Sequence, residues 1–300
     1  MSSSPRTPFT GAEWAAIFGI ILVWGLNNAA AKVATEVLPP LFMGGMRFLV
    51  ALLFLLPFMK LPWPPWRQML PLVLLAGPLH FGLVYVAFAM VHNLSPIVVA
   101  LQLWIPMTAL AAWLILKETM PRAAVAGMLI AFAGVAWMSL DPHGAADLAG
   151  IAIGVVASAL WAIATVLMRK APSIRPLKMQ GLTSLAAAPV LLAASFAFEP
   201  NVVQKATTAT PFIWVLVVYA ALFSTVGATA LLFWLVQRRE AGRVTPWFLL
   251  TPLVSCTIGV GFMGDKVTVQ LVGGGLATMV GVALVALSER RAAQQASSAT

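Results

Sequence analysis

The sequence predicts an all-α membrane protein: ten transmembrane helices arranged as two inverted five-helix repeats. Three observations predict it. Hydrophobic residues make up 61% of the 300 and charged residues only 9%, with a mean hydropathy of +0.95. A soluble domain carries about 25% charge, so this chain has too little polar surface to cover a globule in water. Apolar runs long enough to cross a bilayer, about 20 residues each, recur along the chain with short connections. Finally, marker residues of the first half return in the second at a nearly constant offset.

The runs place spans near 13–34, 41–59, 68–90, 95–116, 121–139, 149–169, 176–198, 211–236, 245–263 and 268–288. Breaks fall on turn chemistry: Pro39-Pro40, the Pro62 to Pro65 cluster, Asp141-Pro142 and Glu199-Pro200. The expected organisation is a first five-helix repeat over 9–140 and a second over 149–290. A tail over 291–300, rich in Ala, Gln and Ser, is expected to be disordered and cytoplasmic. Cys256 is the only cysteine, which excludes an internal disulfide, and no Cys/His cluster has metal-ligand spacing. The first apolar stretch lacks a small-residue cleavage site followed by a polar mature chain, so it reads as a span and not as a signal peptide.

The net charge of +9 raises nucleic acid as a partner. Placing the charges excludes it. With a cytoplasmic N-terminus and alternating spans, 14 of the 18 basic residues fall on the cytoplasmic side, at positions 6, 60, 67, 117, 122, 169, 170, 175, 178, 238, 239, 243, 290 and 291. This positive-inside asymmetry predicts both termini in the cytoplasm of a bacterial-type inner membrane. The basic excess is then a topology device facing anionic lipid. Trp14, Trp63, Trp66, Trp137 and Trp214 fall near span ends, where indole prefers the headgroup level.

The repeat rests on six pairs. Trp24 and Trp161, and Lys32 and Arg169, are 137 residues apart; Pro106 and Pro252 are 146 apart; Glu118, Gly127 and Gly134 precede Asp265, Gly274 and Gly281 by 147. Five spans per repeat is an odd number, so the halves insert with opposite topology. Inverted repeats of this kind characterise transporters, with the substrate site near the midplane between halves. On these residues the chain resembles the EamA branch of the drug/metabolite transporter superfamily. The segment from Ser95-Pro96 through Gln102 and Pro106 to Lys117-Glu118 looks like the family's fourth helix, preceded by Tyr85-Val86-Ala87-Phe88-Ala89. The second repeat keeps Ala241-Gly242 through Pro252 to Gly264-Asp265, with Asp265 where the family often has Glu. With its mid-membrane aromatics the chain looks most like the YddG-type amino-acid exporters. The resemblance implies a carrier working by alternating access.

Polar groups are costly in lipid, so those in mid-span mark candidate site residues. On span one, Trp24, Asn27, Asn28 and Ala31 share a face; the asparagines serve either a polar lumen or interhelical hydrogen bonds. The matching face of span six is Trp161, Ala164, Thr165 and Met168. Span three offers His80, the only group near the midplane with a near-neutral ordinary pKa, and a separate face of Phe81, Tyr85 and Phe88; one of the two is expected to line the cavity. On span four, Gln102 and Trp104 are about 200° apart on an ideal helix, so only one is expected to meet the lumen. Pro106 and Pro252 are expected hinges, because neither can bond the carbonyl four residues before it. Thr225, Thr229 and Phe233 form a stripe on span eight. Arg47, inside span two, either attracts a carboxylate or completes a structural ion pair. Small residues four apart on spans five and ten, Ala123, Gly127 and Ala131 with Gly273, Ala277 and Gly281, suit close helix packing.

All nine acidic residues fall at or near span ends. Proton- and cation-coupled carriers usually place a carboxylate at the midplane, so a neutral substrate and uncoupled export are expected. The candidate substrate-binding set is Trp24, Asn27, His80, Tyr85, Gln102, Trp104, Trp161, Thr165, Thr229 and Phe233. The expected substrate is a neutral amphipathic metabolite, foremost an amino acid, including aromatic ones; drugs or nucleotide-linked metabolites are the alternative. His80, His92 and His143 lie far apart without midplane carboxylates, which argues against an intramembrane enzyme. No ring of charge or carbonyl filter suggests a channel. No catalytic residue, metal or cofactor is expected, and the oligomer is a monomer or homodimer.

Overall fold

A computed structural model describes residues 8–140, 147–170, 174–236, 238–239 and 244–298. Among them the chain is all-helical. Eight helices are long and apolar enough to cross a membrane: α1 (Gly11–Val37), α2 (Pro40–Phe58), α3 (Trp66–Met90), α4 (Leu94–Leu116), α6 (Leu148–Arg169), α7 (Pro176–Phe198), α9 (Pro211–Leu235) and α11, whose apolar part is Val269–Ser288. Two more apolar helices are shorter, α5 (Arg122–Met138) and α10 (Trp247–Phe262). The connection expected over 199–210 holds a short helix, α8 (Val202–Thr208).

Local sequence explains the starts. Thr10 and Glu13 form a reciprocal capping box at α1, satisfying two orphan N–H groups. Pro40, Pro176 and Pro211 stand in the first turn, where a missing N–H costs nothing. Within the tail expected to be disordered over 291–300, α11 continues as helix through Ser298, and residues 299–300 lie outside the described residues. Residues 289–298 are mostly Glu, Arg, Ala and Gln, strong helix formers that extend a helix already nucleated in the bilayer.

Apolar side chains such as Leu22, Phe54, Phe196, Phe212 and Leu276 point outward, as lipid-facing residues do. Inside, α2 packs along α7 and α5 along α11. Helix α6 packs against α3 and α4, and α1 packs against α9 and α10. This pattern of neighbours is unchanged when the two halves of the chain are exchanged. At the α5–α11 contact, a Cβ built on Gly127 would stand 2.6 Å from the Gly281 carbonyl oxygen, and one on Gly134 2.6 Å from that of Gly274. Only hydrogen fits at these crossings.

Three irregular turns lie at mid-helix. In α3, Leu75–Leu79 is a π-turn containing Pro78; in α9, Ala220–Gly227 is another. Helix α4 is interrupted at Gln102 and Leu103.

Candidate functional site

The irregular turns surround a cavity of about 650 Å³ enclosed by α1, α2, α3, α4, α6, α7, α9 and α10. π-Turns free backbone groups and reorient side chains, and recur at functional sites. Here they carry Ala76, Ser224 and Thr225 to the wall, with His80 beginning the helical turn after Pro78.

Of the candidate residues, Trp24, Asn27, His80, Tyr85, Gln102, Trp104, Trp161 and Thr229 all line this cavity. Two do not. The Thr165 hydroxyl donates to its own helix, at the Trp161 carbonyl 2.8 Å away, the usual fate of threonine inside a membrane helix. Phe233 faces a different groove with Pro57, Lys60 and Lys178. Eight residues of ideal helix advance about 80° beyond two full turns, so an i, i+8 stripe drifts off one face.

Two expectations about helix faces are corrected. Both Gln102 and Trp104 line the cavity. The ideal-helix angle between them does not apply, because the N–H groups of Gln102, Leu103 and Ile105 each donate to the carbonyl three residues back. That tightened turn lies just before Pro106. The counterpart Pro252 likewise follows a 3₁₀ turn, Thr245–Leu250, and opens the helical stretch from Thr251. On α3, both faces line the cavity, His80 together with Phe81, Tyr85 and Phe88. The π-turn packs against α6 and α7 and the stretch after it against α1, α2 and α6, and its two faces bound one space.

Aromatic rings form opposite walls. Trp24 meets Phe248 edge-on at 5.3 Å between centroids. Trp161 lies 4.9 Å from the His80 ring and 6.1 Å from that of Phe81. The His80 Nδ1 donates to the Ala157 carbonyl at 2.8 Å, because a carbonyl can only accept. This fixes the neutral tautomer and leaves Nε2 as an acceptor. No acceptor among the described residues takes either indole N–H, so both are free to meet a ligand. The two asparagines divide: Asn28 donates to Ser255 of α10 at 3.1 Å, an interhelical bond, whereas Asn27 Oδ1 is buried without a donor.

Arg47 was left open by the sequence between two roles and outside the candidate set. It is 5% exposed and lines the cavity. Its Nε donates to Thr225 at 2.8 Å, one terminal nitrogen to the Tyr85 hydroxyl at 2.6 Å and the other to Ser224 at 3.3 Å. Phe81 and Phe48 lie under the guanidinium at 5.1 and 5.6 Å, a cation–π seat. Its partners within the protein are hydroxyls of α3 and α9, which no spacing rule connects to position 47.

Among the described residues, no acidic side chain lines the cavity. The described acidic side chains are engaged elsewhere. Glu13 pairs with Arg239, Glu36 with Lys32 and Glu118 with Arg169. Asp147 holds His92 and Asn93, Asp265 holds Leu94 and Ser95, and Glu199 accepts from the backbone of Leu41 and Phe42.

The model of the EamA-like transporter family matches the chain twice, over residues 12–140 and 148–287. The uncharacterized transporter YvbV of Bacillus subtilis is 27% identical over 273 residues, covering 89% of this chain and 88% of that protein. A probable amino-acid metabolite efflux pump of Salmonella typhimurium is 27% identical over 274 residues, 88% of this chain and 91% of the pump. A solved crystal structure superposes with a TM-score of 0.60 at 18% identity over 94% of this chain and 99% of the other, which shows a shared fold. A lipid-facing helical exterior, a central cavity and a family model spanning nearly the whole chain agree: the protein is a membrane transporter and not an enzyme, and it belongs to the EamA-like transporter family.

Proposed function

We propose that the protein exports neutral amphipathic metabolites, amino acids and aromatic ones among them, across the inner membrane by uncoupled alternating access. The observation that carries this reading is the composition of the cavity wall: indole rings from both halves, amides and hydroxyls and, among the described residues, one guanidinium and no carboxylate. Rings of Trp24 and Trp161 suit an apolar side chain; Asn27, Gln102, Tyr85, Trp104, His80 and Thr229 suit the polar head. The volume of about 650 Å³ is within the range of small-molecule sites. The name of the Salmonella typhimurium relative, an amino-acid metabolite efflux pump, supports the substrate class.

The same reading takes the eight long helices and the two shorter apolar ones, α5 and α10, as spans, in two inverted five-helix repeats with cytoplasmic termini. The glycine crossings support the repeat. Exchange of the halves carries Gly127 to Gly274 and Gly134 to Gly281, and so carries the Gly127–Gly281 contact onto Gly274–Gly134. The cavity extends toward Met168, Ile174 and Pro176, beside Arg169 and Arg175. Positive-inside placement makes this the cytoplasmic end, from which an exporter loads. Rocking of one repeat about the turns at Pro106 and Pro252 would open the other end.

The test is flux through purified protein in liposomes, with labelled neutral amino acids and with or without a proton gradient. Saturable flux of a large neutral amino acid, indifferent to the gradient, is expected. Absence of flux for every amino acid would overturn the substrate class and move the panel to drugs and nucleotide-linked metabolites.

A further inference from the structure

Arg47 carries a positive charge into the cavity, and no described carboxylate answers it. A buried charge without a partner is costly, so such groups are held for a ligand or an ion. The guanidinium has five N–H donors in a rigid fork. Three go to hydroxyls of Thr225, Tyr85 and Ser224, which leaves one on each terminal nitrogen. The Thr225 hydroxyl passes its own hydrogen to the Ala220 carbonyl. Those of Tyr85 and Ser224 have no acceptor among the described residues. Arg47, Tyr85 and Ser224 all line the cavity, so two guanidinium N–H groups and two hydroxyl hydrogens stand at its wall with no acceptor among the described residues. A second orphan of opposite sense lies on α1: Asn27 Oδ1, an acceptor on a side chain only 9% exposed, has no donor.

We propose that Arg47, backed by Tyr85 and Ser224, is the carboxylate anchor of the transport site, and that Asn27 Oδ1 accepts an N–H from the same solute. The inference rests on the amino-acid reading above and widens it from neutral solutes to carboxylates of single negative charge. The solute must carry a free carboxylate and an N–H donor, but its nitrogen need not be charged, because no carboxylate among the described residues of the wall is there to bind an ammonium. The site thus accepts N-acylated amino acids as well as free ones and rejects amino-acid amides. Arginine serves this role better than lysine because its fork binds both carboxylate oxygens.

The test is thermal stabilisation of the detergent-purified transporter, in which a ligand raises the melting temperature according to its affinity. Four compounds share one ring: phenylalanine, N-acetylphenylalanine, phenylalanine amide and 3-phenylpropionate. Loss of a hydrogen bond to a charged group is expected to weaken the amide by about tenfold to a hundredfold against the two N–H-bearing acids. Phenylpropionate, which lacks the N–H, is expected to be weaker by about fivefold. In Arg47→Gln the acids and the amide become equal; in Asn27→Leu the gap between N-acetylphenylalanine and phenylpropionate closes. Equal binding of acid and amide by the unmodified protein overturns the anchor while leaving the amino-acid reading intact, and needs no variant to fold. Binding by none of the four overturns both.

Discussion

Asp265, beyond the end of α10, caps the start of α4 through the backbone of Ser95: its carboxylate accepts from the Ser95 N–H at 2.6 Å, from the Leu94 N–H at 3.0 Å, and from the Ser95 hydroxyl. The link joins the two halves of the chain. Gly264 makes it possible, turning the chain back at φ +81°, a conformation that glycine adopts without penalty. An anion at a helix N-terminus satisfies orphan N–H groups and meets the positive end of the helix dipole. Asp147 and Glu199 make comparable links to His92, Asn93, Leu41 and Phe42. All lie at the end of the molecule away from Met168 and Ile174.

Loosening this link is expected to open that end. Asp265→Asn keeps one acceptor oxygen and removes the charge. Cys256 is a built-in reporter, since its thiol lies 3.9 Å from the Ser95 carbonyl and it is the only cysteine in the chain. In the variant a maleimide should label Cys256 about tenfold faster, corresponding to about 1.4 kcal/mol. An unchanged rate would show that the cap does not hold the end closed.

Replacing either cavity tryptophan should impair transport without preventing membrane insertion. Trp24 and Trp161 each pack on an aromatic ring of the other half, and their N–H groups have no acceptor among the described residues. Aromatic contacts add about 0.5–1.5 kcal/mol beyond area burial, so Trp24→Ala and Trp161→Ala should each raise the KM for an aromatic amino acid about three- to tenfold. The measurement is initial-rate flux in liposomes, normalised to inserted protein. Unchanged flux in both variants would remove the pair from the site.

Much of this arrangement is legible in the sequence, and the rest has identifiable physical reasons for being hidden. Hydropathy and turn residues give the apolar helices to within a few residues, because lipid forces every backbone group into helix. Three- and four-residue spacing brings Trp24 and Asn27 to the cavity. Projection onto an ideal helix fails at Gln102 and Trp104, across the tightened turn, whereas Phe233 is lost because an i, i+8 stripe drifts off one face even on an ideal helix. Arg47 escaped because its partners are hydroxyls from two other helices, and hydroxyls leave no mark in a charge pattern.

The Asp147 cap should make stability depend on pH. Burial pushes the Asp147 carboxyl up, but hydrogen bonds from the backbone and side chain of His92 and Asn93 outweigh it and hold it below the ordinary value of 3.8. A carboxyl with a lowered folded-state pKa contributes stability above its unfolded value and loses it as the pH falls through the folded one. Asp147→Asn should therefore cost about 1 kcal/mol at pH 7 and progressively less below the ordinary value. Melting temperatures of both proteins should converge on acidification; a constant gap from pH 7 to pH 3 would mean that charge plays no part.

Close approach of α5 and α11 predicts opposite outcomes for two identical glycine substitutions. At Gly127 a Cβ would stand 2.6 Å from the Gly281 carbonyl oxygen and 3.0 Å from the Val285 backbone nitrogen, and neither is a flexible side-chain end. The helices must separate to admit a methyl group, and overpacking of this kind costs about 1–3 kcal/mol. At Gly275, one residue past the Gly274 crossing, a Cβ meets nothing within 4 Å. There Ala brings only its helix propensity, worth up to about 1 kcal/mol over Gly. Gly127→Ala should lower the melting temperature in detergent and Gly275→Ala should hold or raise it. If both fell alike, the α5–α11 contact would owe nothing to the missing side chains.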